Sequence, residues 1–451
     1  MKTVLIIAGS DPGAGAGLQQ DLKVATLLGT YGLTVVTALT IQNSRGVQAV
    51  HPVAPEVVDA QLAAVFSDFP VDAVKVGMLA TGDIVRVVAR RLKEHQPPYL
   101  VADPVLAASS GAPLLEAEGI TALKEEIFPL THLLTPNAPE AALLTGMEVS
   151  TPAHLEDAAR RLQKLGPRWV LAKGGHLPGE PVDVLTDGAN AYHLPGPRLD
   201  APHSHGSGCA LAAACAAALA QGLSLPEAVN QARTLVAQAL RWGLPLGSGR
   251  GPVNPYAPFA RDAARYQVIE SLQEAAARLQ KEDISPLIPA VMSNLGYAAP
   301  YAEGPQDVAA FPGRLVGSPQ GLLIPAPPAF GVSGPLAAVI LAALNTHPQL
   351  RSAMNIKYFA GLEEIAPLLS LKVATLPGSP EAMETAGRAE GSLALRVAAV
   401  LRPGEPPADV LHDPGAGGRE PLSYILGSDP QAVAAKVLAL KNAGAAAGKW
   451  G

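Results

Sequence analysis

Cysteine is scarce in this chain, which has only Cys209 and Cys215 among 451 residues. Two thiols cannot build a disulfide framework or a four-thiolate zinc site, so the sequence favours a reducing, cytoplasmic compartment. Positive charge is not in excess either, because the formal net charge is −6 at pH 7. That balance gives no electrostatic reason to bind nucleic acid or an anionic membrane.

Long apolar runs are also missing. No uninterrupted apolar stretch approaches the roughly 20 residues that a membrane-spanning helix needs. The apolar run near residue 5 is too short for a signal peptide core, and we interpret it as a first strand. The sequence therefore predicts a chain without membrane partners.

Two common nucleotide-binding motifs are absent from the glycine-rich stretch "GSDPGAGAGLQQDLK", residues 9–23. No Gly-Lys-Ser/Thr follows, which excludes a P-loop. The third glycine, Gly17, comes one position too early for the dinucleotide fingerprint, and Leu18 stands where glycine or alanine belongs. Two interpretations remain open: a flexible turn between strand and helix, or a substrate-binding loop whose N–H groups and Asp21 face a small polar molecule.

The first half of the chain alternates short apolar runs with segments that have apolar residues at helical spacing. Runs without polar alternation, joined by helices, predict an α/β fold with a mostly parallel sheet covered by helices on both faces. The Gly- and Pro-rich residues 242–258 predict a boundary. We expect one domain at 1–257 and a second α/β domain at 262–451, with no repeat relating them.

Nearly every predicted strand ends in polar or small residues. Ligands bind at the carboxyl ends of the strands in open parallel sheets, so these ends predict an active-site rim. The ends are Gly9-Ser10-Asp11, Gln42-Asn43, Gly77-Met78, Asp103-Pro104, Pro136-Asn137 and Lys173-Gly174-Gly175.

The stretch "HGSGC" precedes a long alanine-rich helix. At a helix start the N–H groups are unpaired and the dipole is positive, so Gly206, Ser207 and Gly208 predict an anion hole for a transferring phosphoryl group. A helix N-terminus lowers the pKa of a thiol, and a Cys209 thiolate could take a proton from a substrate hydroxyl. The alternative is a small buried cysteine, which is what we expect for Cys215.

Four further residues suit phosphate chemistry. Asn137 and Glu140 could position water around Mg²⁺, although helix capping explains their i, i+3 spacing equally well. Lys173 is a cation suited to polyphosphate, and Asp103 could assist the metal or the substrate. The loop histidines have no metal-ligand spacing and are expected to be solvated; they are His176, His203 and His205.

These motifs, in this order, resemble the hydroxymethylpyrimidine/phosphomethylpyrimidine kinases of the ribokinase-like superfamily. The stretches are "AGSDPGAGAGLQQDLK", "TALTIQNSRGV", "VKVGMLA", "VADPV", "TPNAPEA", "AKGGH" and "SHGSGC". The resemblance implies ATP, Mg²⁺, a homodimer and two successive phosphorylations of 4-amino-5-hydroxymethyl-2-methylpyrimidine.

The resemblance also implies residue roles. Sugar kinases of the superfamily have aspartate where Cys209 stands, and the cysteine is typical of pyrimidine kinases and some pyridoxal kinases. A pyridoxal kinase is therefore the rival interpretation. The implied pyrimidine site is Asp21, Gln42, Met78 and Val105; the implied nucleotide and metal side is Asn137, Glu140 and Lys173, with Asp103 as a further metal candidate.

Residues 265–445 resemble the ThiN type of thiamine-phosphate synthase, through "VMSNLGYAAPYA", "SAMNIKY" and "DVLHDPGAGGREPLSYILG". The family joins pyrimidine diphosphate to thiazole phosphate, which needs cations on the leaving pyrophosphate. The candidates are Asn355, Lys357, His412 and Arg419. The family usually has an arginine in the turn that reads "TLPGSPE" here. Three interpretations stay open: a synthase, a regulator that binds thiamine phosphate, and a dimerising module.

Overall fold

We analysed a computed structural model of the chain, which describes residues 1–108, 111–378, 389–415 and 420–449. The chain divides into two compact units, Met1–Phe259 and Ala260–Gly451. Within the described ranges, no helix is long and apolar enough to cross a bilayer.

The first unit is built on a nine-stranded sheet with strand order β3-β2-β1-β4-β5-β6-β7-β8-β9. The six central strands pair in parallel, in the order β2, β1, β4, β5, β6 and β7. At one edge β3 pairs antiparallel with β2, and at the other edge β8 and β9 add two antiparallel pairings. The predicted mostly parallel sheet is therefore confirmed. The strands are β1 (Thr3–Ser10), β2 (Tyr31–Asn43), β3 (Gly46–Pro52), β4 (Ala73–Val76), β5 (Leu100–Ala102), β6 (Leu133–Leu134), β7 (Trp169–Ala172), β8 (Val182–Thr186) and β9 (Ala191–Pro195).

Helices cover both faces of this sheet because successive strand residues point to opposite sides. Leu5 and Ile7 of β1 pack with α2, α3 and α6, whereas Val4 and Ile6 pack with α1, α7 and α8. The helices are α1 (Gly17–Leu27), α2 (Pro55–Asp68), α3 (Gly82–His95), α4 (Ala117–Ala122), α5 (Ala138–Thr145), α6 (Pro152–Gln163), α7 (Ser207–Ala220) and α8 (Leu225–Arg241). The helix α9 (Ala257–Ala263) carries the chain into the second unit.

Helix α7 is buried from Ala210 to its last residue, Ala220, and its first three residues are half-buried. Its alanines let the helix lie close to the sheet and to its helical neighbours, since small side chains permit close packing. The start of α7 is therefore anchored in the core, at the carboxyl ends of the parallel strands.

The second unit has a seven-stranded sheet with strand order β14-β11-β10-β15-β18-β17-β16. Among the strands that the structure describes in this sheet, β16 and β17 alone pair in parallel. A short antiparallel pair, β12 with β13, forms a separate ribbon. The strands are β10 (Leu295–Ala298), β11 (Val308–Ala310), β12 (Val316–Ser318), β13 (Gly321–Leu323), β14 (Ala329–Phe330), β15 (Ser352–Lys357), β16 (Val373–Thr375), β17 (Val410–Asp413) and β18 (Leu422–Gly427).

Helices again lie on both faces of the second sheet. Met354 and Ile356 of β15 point to one apolar core, and Ala353 points to the other. The helices are α10 (Arg265–Lys281), α11 (Gly334–Thr346), α12 (Leu362–Leu368), α13 (Ala389–Val400) and α14 (Pro430–Ala446). The second unit is thus also an α/β domain, with a mainly antiparallel sheet.

Candidate active site

A cavity of about 1060 Å³ lies at the carboxyl ends of the parallel strands of the first unit. The structure brings most of the site residues predicted for this half of the chain to its walls. These residues are Gln42, Met78, Asp103, Val105, Asn137, Glu140, Lys173, Gly206, Ser207, Gly208 and Cys209. Asp21 is the exception, and it is treated below.

The start of α7 forms one wall of the cavity. Gly206 has a φ of +81°, and a Cβ there would lie 1.8 Å from the carbonyl oxygen of Gly15, so only glycine fits. A Cβ on Gly208 would lie 3.2 Å from Lys173 Nζ and 3.6 Å from Asp103 Oδ2. The bare backbone at Gly208 therefore leaves room for these charged groups beside the first turn, where N–H groups have no intrahelical acceptor.

The predicted low pKa of Cys209 is wrong. Burial raises the pKa of the Cys209 thiol to about 12, and the negative charges of Asp21 and Asp103 add to the increase. The positive charge of Lys75 and a hydrogen bond from the Gly17 backbone N–H lower the pKa, but they are too weak to reverse the increase. Cys209 is therefore a thiol at neutral pH, despite its place at a helix start. Cys215 is fully buried among alanines, as expected.

Lys75 is a site residue that the sequence analysis missed. Its Nζ lies 2.6 Å from Asp21 Oδ2, and both side chains are completely buried. Lys75 lines the cavity, whereas Asp21 lies behind it and does not, contrary to the role implied by the family resemblance. Burial raises the pKa of Asp21 to about 6 even with Lys75 beside it. A lysine inside the apolar run "AVKVGML" was the signal that could have revealed the pair.

Asp103 and Lys173 form an ion pair on the cavity wall. Lys173 Nζ lies 3.0 Å from Asp103 Oδ1, which also accepts a bond of 2.9 Å from the Thr135 hydroxyl. Burial alone would raise the pKa of Asp103, but Lys173 and Lys75 hold it below its ordinary value. A carboxylate and an ammonium therefore both stay charged next to the start of α7.

Asn137 and Glu140 form a capping box at the start of α5. Asn137 Oδ1 accepts from the Glu140 N–H, and Glu140 Oε2 accepts from the Asn137 N–H, each at 2.8 Å. Burial raises the pKa of Glu140 to about 7, with Lys173 opposing the shift and Asp103 adding to it. The capping alternative is therefore confirmed, and because Asn137 and Glu140 also line the cavity, the Mg²⁺ alternative stays a prediction.

The donor set at this wall fits a hydrated Mg²⁺. Glu140 Oε1 and Asp103 Oδ2 have no hydrogen-bond partner among the residues that the structure describes. In that same part of the chain, no group of three or more His, Cys, Asp or Glu side chains could hold a metal ion. Mg²⁺ commonly binds through one or two carboxylates and keeps several waters, so two free carboxylate oxygens are sufficient.

The expectation of solvated histidines is wrong for His205. Its side chain is only 20% exposed, and its Nε2 lies 3.0 Å from Gln42 Nε2 and 3.2 Å from Asp11 Oδ2. His176 is exposed and lies at the cavity edge. His203 accepts a bond of 3.2 Å from the N–H of Gly251. Spacing in the sequence gave no sign that Gln42 and His205 would meet.

Helix α8 contributes a second part of the cavity that sequence reasoning also missed. Arg233 Nε donates to Asp183 Oδ2 at 2.9 Å, and Asp183 Oδ1 accepts from the N–H of Gly174 at 2.9 Å. This pair ties α8 and β8 to the loop after β7. The far end of the cavity is thereby enclosed by the helix and by residues 195–199.

The candidate residues of the second unit are not brought together. Asn355 bonds to the backbone of Asn294 and Met292, at 2.8 and 3.0 Å, so its amide has a structural role. The strand register places Asn355 and the exposed Lys357 on one face of the sheet and His412 on the other. Arg419 and the end of "TLPGSPE" from Ser379 lie outside the described residues.

His412 lies between an aromatic ring and a second buried polar side chain. Its ring packs against that of Tyr358, with 4.2 Å between the ring centroids and an interplanar angle of 31°. Among the residues that the structure describes, neither the buried Nδ1 of His412 nor the buried Oγ of Ser423 has a hydrogen-bond partner. Ser423 lies opposite His412 in the strand register. Buried polar atoms without partners are rare, so this pair marks a candidate binding point.

Arg396, which the sequence pattern did not single out, lies near the turn that lacks an arginine. Arg396 of α13 donates to both carboxylate oxygens of Asp413, at 2.6 and 3.1 Å, and to the carbonyl of Pro377 at 2.6 Å. Its side chain is almost fully buried. A guanidinium therefore lies beside the described part of "TLPGSPE", although the sequence places it about twenty residues downstream.

Comparison with known proteins identifies the family. The family described as phosphomethylpyrimidine kinase matches residues 11–254, more than half of the chain. This chain belongs to the phosphomethylpyrimidine kinase family. A second family, thiamine-phosphate synthase ThiN, matches residues 271–439. The resemblances inferred from the sequence are confirmed for both halves.

The similar proteins include bifunctional thiamine biosynthesis proteins and kinases without a second domain match. The thiamine biosynthesis bifunctional protein ThiED of Geobacter sulfurreducens is 50% identical over 253 residues, which cover 56% of this chain and 52% of that protein. The hydroxymethylpyrimidine/phosphomethylpyrimidine kinase of Streptomyces coelicolor is 46% identical over 251 residues, which cover 56% of this chain and 93% of the kinase. The match thus spans about half of the bifunctional relative and nearly all of the kinase.

Solved structures show the same fold. The ADP complex of Bacillus subtilis pyridoxal kinase is 37% identical with a TM-score of 0.54, over 57% of this chain and 99% of that one. The Staphylococcus aureus pyridoxal kinase in complex with AMP-PCP and pyridoxal is 34% identical with a TM-score of 0.52, over 56% and 93%. The first unit therefore has the fold of these kinases.

Proposed function

We propose that the first unit uses ATP to phosphorylate 4-amino-5-hydroxymethyl-2-methylpyrimidine and then its monophosphate. The observation that carries this proposal is that one cavity combines an apolar wall, a neutral amide and the open start of α7. Met78 supplies the apolar wall, Gln42 the amide, and Gly208 and Cys209 the helix start. Family membership supports the same reaction.

The pyrimidine end of the cavity suits a flat neutral ring. Met78 is nearly buried and packs in a small apolar cluster that Val105 adjoins. A Cβ on Gly9 would lie 2.9 Å from Met78 Sδ, so glycine is what allows this methionine to lie over the end of β1. The Gln42 amide adds hydrogen bonding at the edge of this wall, which fixes the orientation of a polar ring.

The phosphate end of the cavity suits a polyphosphate with Mg²⁺. The Ser207 N–H already donates to the Ser204 carbonyl at 3.3 Å, contrary to its predicted place in the anion hole. The Lys173 ammonium and the N–H groups of Gly208 and Cys209 would therefore hold phosphoryl oxygens. Glu140 and Asp103 would hold the hydrated ion. Bound Mg²⁺ would neutralise charge on the transferring phosphoryl group. In-line phosphoryl transfer depends on positioning and charge stabilisation more than on covalent chemistry, and these residues supply both.

In this proposal Cys209 takes the proton of the substrate hydroxyl, and only its minor thiolate form can accept that proton. Since the pKa of its thiol is about 12, the thiol must first lose its own proton. Lys75 and the Gly17 N–H stabilise the thiolate once it forms. We therefore assign Cys209 as a weakly populated base whose contribution grows with pH.

A substrate panel tests this function. The full chain is incubated with ATP, Mg²⁺ and either hydroxymethylpyrimidine or pyridoxal, and the products are identified by mass spectrometry. We expect pyrimidine mono- and diphosphate, with the Cys209→Ala variant strongly impaired and the matched Cys215→Ala control active. Phosphorylation of pyridoxal alone would favour the rival function, which the similarity to pyridoxal kinase structures makes worth including.

We propose that the second unit joins the pyrimidine diphosphate to thiazole phosphate, releasing pyrophosphate. Two observations support this assignment: the ThiN match, and the buried Nδ1 of His412, which has no partner within the described ranges of the chain. The test supplies both phosphorylated substrates to the full chain carrying Cys209→Ala, which removes the kinase, and assays thiamine phosphate with and without His412→Asn. Binding of thiamine phosphate without turnover would favour the regulator instead.

A further inference from the structure

One ring nitrogen of His205 faces two different side chains. Nε2 lies 3.0 Å from the nearer end of the Gln42 amide and 3.2 Å from Asp11 Oδ2. The backbone holds the ring in this place, because the His205 N–H donates to Gly251 and its carbonyl accepts from Val253, each at 3.1 Å. The loop packs closely as well: a Cβ on Gly15 would lie 2.6 Å from the His205 ring.

The Asp11 carboxylate decides where the proton of this ring lies. Its Oδ2 accepts from the N–H groups of Gly15 and Ala16, at 3.1 and 2.9 Å, and its Oδ1 accepts from that of Gly13 at 2.8 Å. An ionised carboxylate can only accept hydrogen bonds. A lone pair on His205 Nε2 would face negative charge, whereas a proton there makes a charge-assisted bond. His205 therefore carries a proton on Nε2, whether or not Nδ1 is also protonated.

A protonated Nε2 is incompatible with an NH₂ group 3.0 Å away. The oxygen and nitrogen of a glutamine amide exchange places by a half turn about the last side-chain bond. Such a turn brings the Gln42 carbonyl to His205, where it shares the single Nε2 proton with Asp11 Oδ2 in a three-centre hydrogen bond. The other end of the amide has no protein partner among the described residues, so nothing opposes the rotation.

We propose that His205, fixed by Asp11, is a positioning residue that orients the Gln42 amide with its NH₂ group toward the cavity. The inference rests on the proposed pyrimidine kinase function and extends it to the substrate. The NH₂ group would donate to a ring nitrogen of the aminopyrimidine. A ring without an acceptor at that position would leave a donor unpaired, which disfavours binding.

A double-mutant cycle tests the positioning role in the full chain. His205→Phe keeps the ring but removes Nε2–H, and we expect about a tenfold increase in KM for the pyrimidine, with kcat and the KM for ATP changed less than about threefold. Because His205 acts through Gln42, the double variant with Gln42→Leu should bind no more weakly than Gln42→Leu alone. Independent, multiplying effects would overturn the proposal.

A second substitution tests which end of the amide faces the ligand. Gln42→Glu offers only acceptors, so we expect it to bind the pyrimidine as weakly as Gln42→Leu. Binding as tight as in the unaltered chain would overturn the proposed orientation. His51→Phe, on the edge strand β3 and off the cavity wall, is the matched control and should leave KM unchanged.

The two levels of inference fail differently. If the unaltered chain does not phosphorylate the pyrimidine, the proposed function is wrong. If it does so and His205→Phe has an unchanged KM, the function stands and the positioning role is wrong. Thermal unfolding of each variant shows whether a raised KM comes from general loss of structure.

Discussion

Lys75 Nζ lies 2.6 Å from Asp21 Oδ2 in the interior of the first unit, and neither side chain is exposed to solvent. The second oxygen of Asp21 has no partner within the described ranges. A buried pair of this kind is strongly destabilised when one partner is removed, because the other is left as an uncompensated charge.

We expect Lys75→Met to destabilise the first unit by about 3–5 kcal/mol. Lys75→Met combined with Asp21→Asn removes both charges and should recover a large part of that loss. Urea denaturation followed by tryptophan fluorescence measures both variants. A single variant as stable as the unaltered chain would contradict the assignment of a buried ion pair.

The raised pKa of Cys209 predicts how kinase activity depends on pH. Below a pKa of about 12, the thiolate fraction rises about tenfold for each unit of pH. The rate of alkylation by iodoacetamide should follow this rise in a Cys215→Ala background, and kcat should rise with it where proton transfer limits the rate. In Cys209→Asp, we expect kcat to lose this dependence above neutral pH. A flat alkylation profile between pH 7 and pH 10 would contradict the raised pKa.

Gly206→Ala should damage both stability and phosphoryl transfer. The φ of +81° is unfavourable for alanine, and the new Cβ would meet the Gly15 carbonyl at 1.8 Å. We expect a loss of at least about 1–3 kcal/mol from the strained backbone, and a marked fall in kcat. Gly222→Ala is the control: its φ is +91°, but nothing lies within 4 Å of its added Cβ. Similar kcat values for the two variants would count against the anion hole.

Glu140→Gln tests the proposed Mg²⁺ site. It keeps a side chain that can accept from the Asn137 N–H but removes the negative charge, so about tenfold more Mg²⁺ should be needed for half-maximal activity. Glu227→Gln is a matched control, because Glu227 forms the same capping box with Ser224 at the start of α8 and does not line the cavity. An equal Mg²⁺ requirement in both variants would exclude a metal role for Glu140.

Much of the first unit could be predicted from the sequence, because the information is local. Apolar runs followed by polar residues mark strand ends, and parallel strands put those ends on one edge, so residues as far apart as Gln42 and Lys173 line one cavity. The HGSGC stretch likewise predicts a helix start. Local patterns do not say which side chains meet across the fold, and for that reason the Lys75–Asp21 pair and the His205–Gln42 contact were missed.

The pKa of Cys209 shows the same limit in energetic terms. Its position at a helix start could be predicted, but the burial that dominates its pKa depends on distant chain segments. In the second unit, Lys357 and His412 are both typical of a phosphate site by residue type. The strand register nevertheless puts them on opposite faces of the sheet, which a sequence motif does not encode.

The contact between Gly15 and Gly206 joins two backbones with no side chain between them. Loop 11–17 and the start of α7 consequently pack main chain against main chain at this point. If the loop holds the alcohol and the helix holds the phosphate, main-chain packing sets the distance between the reacting atoms. That distance then varies as little as distances within the protein core, and less than it would if a flexible side chain set it.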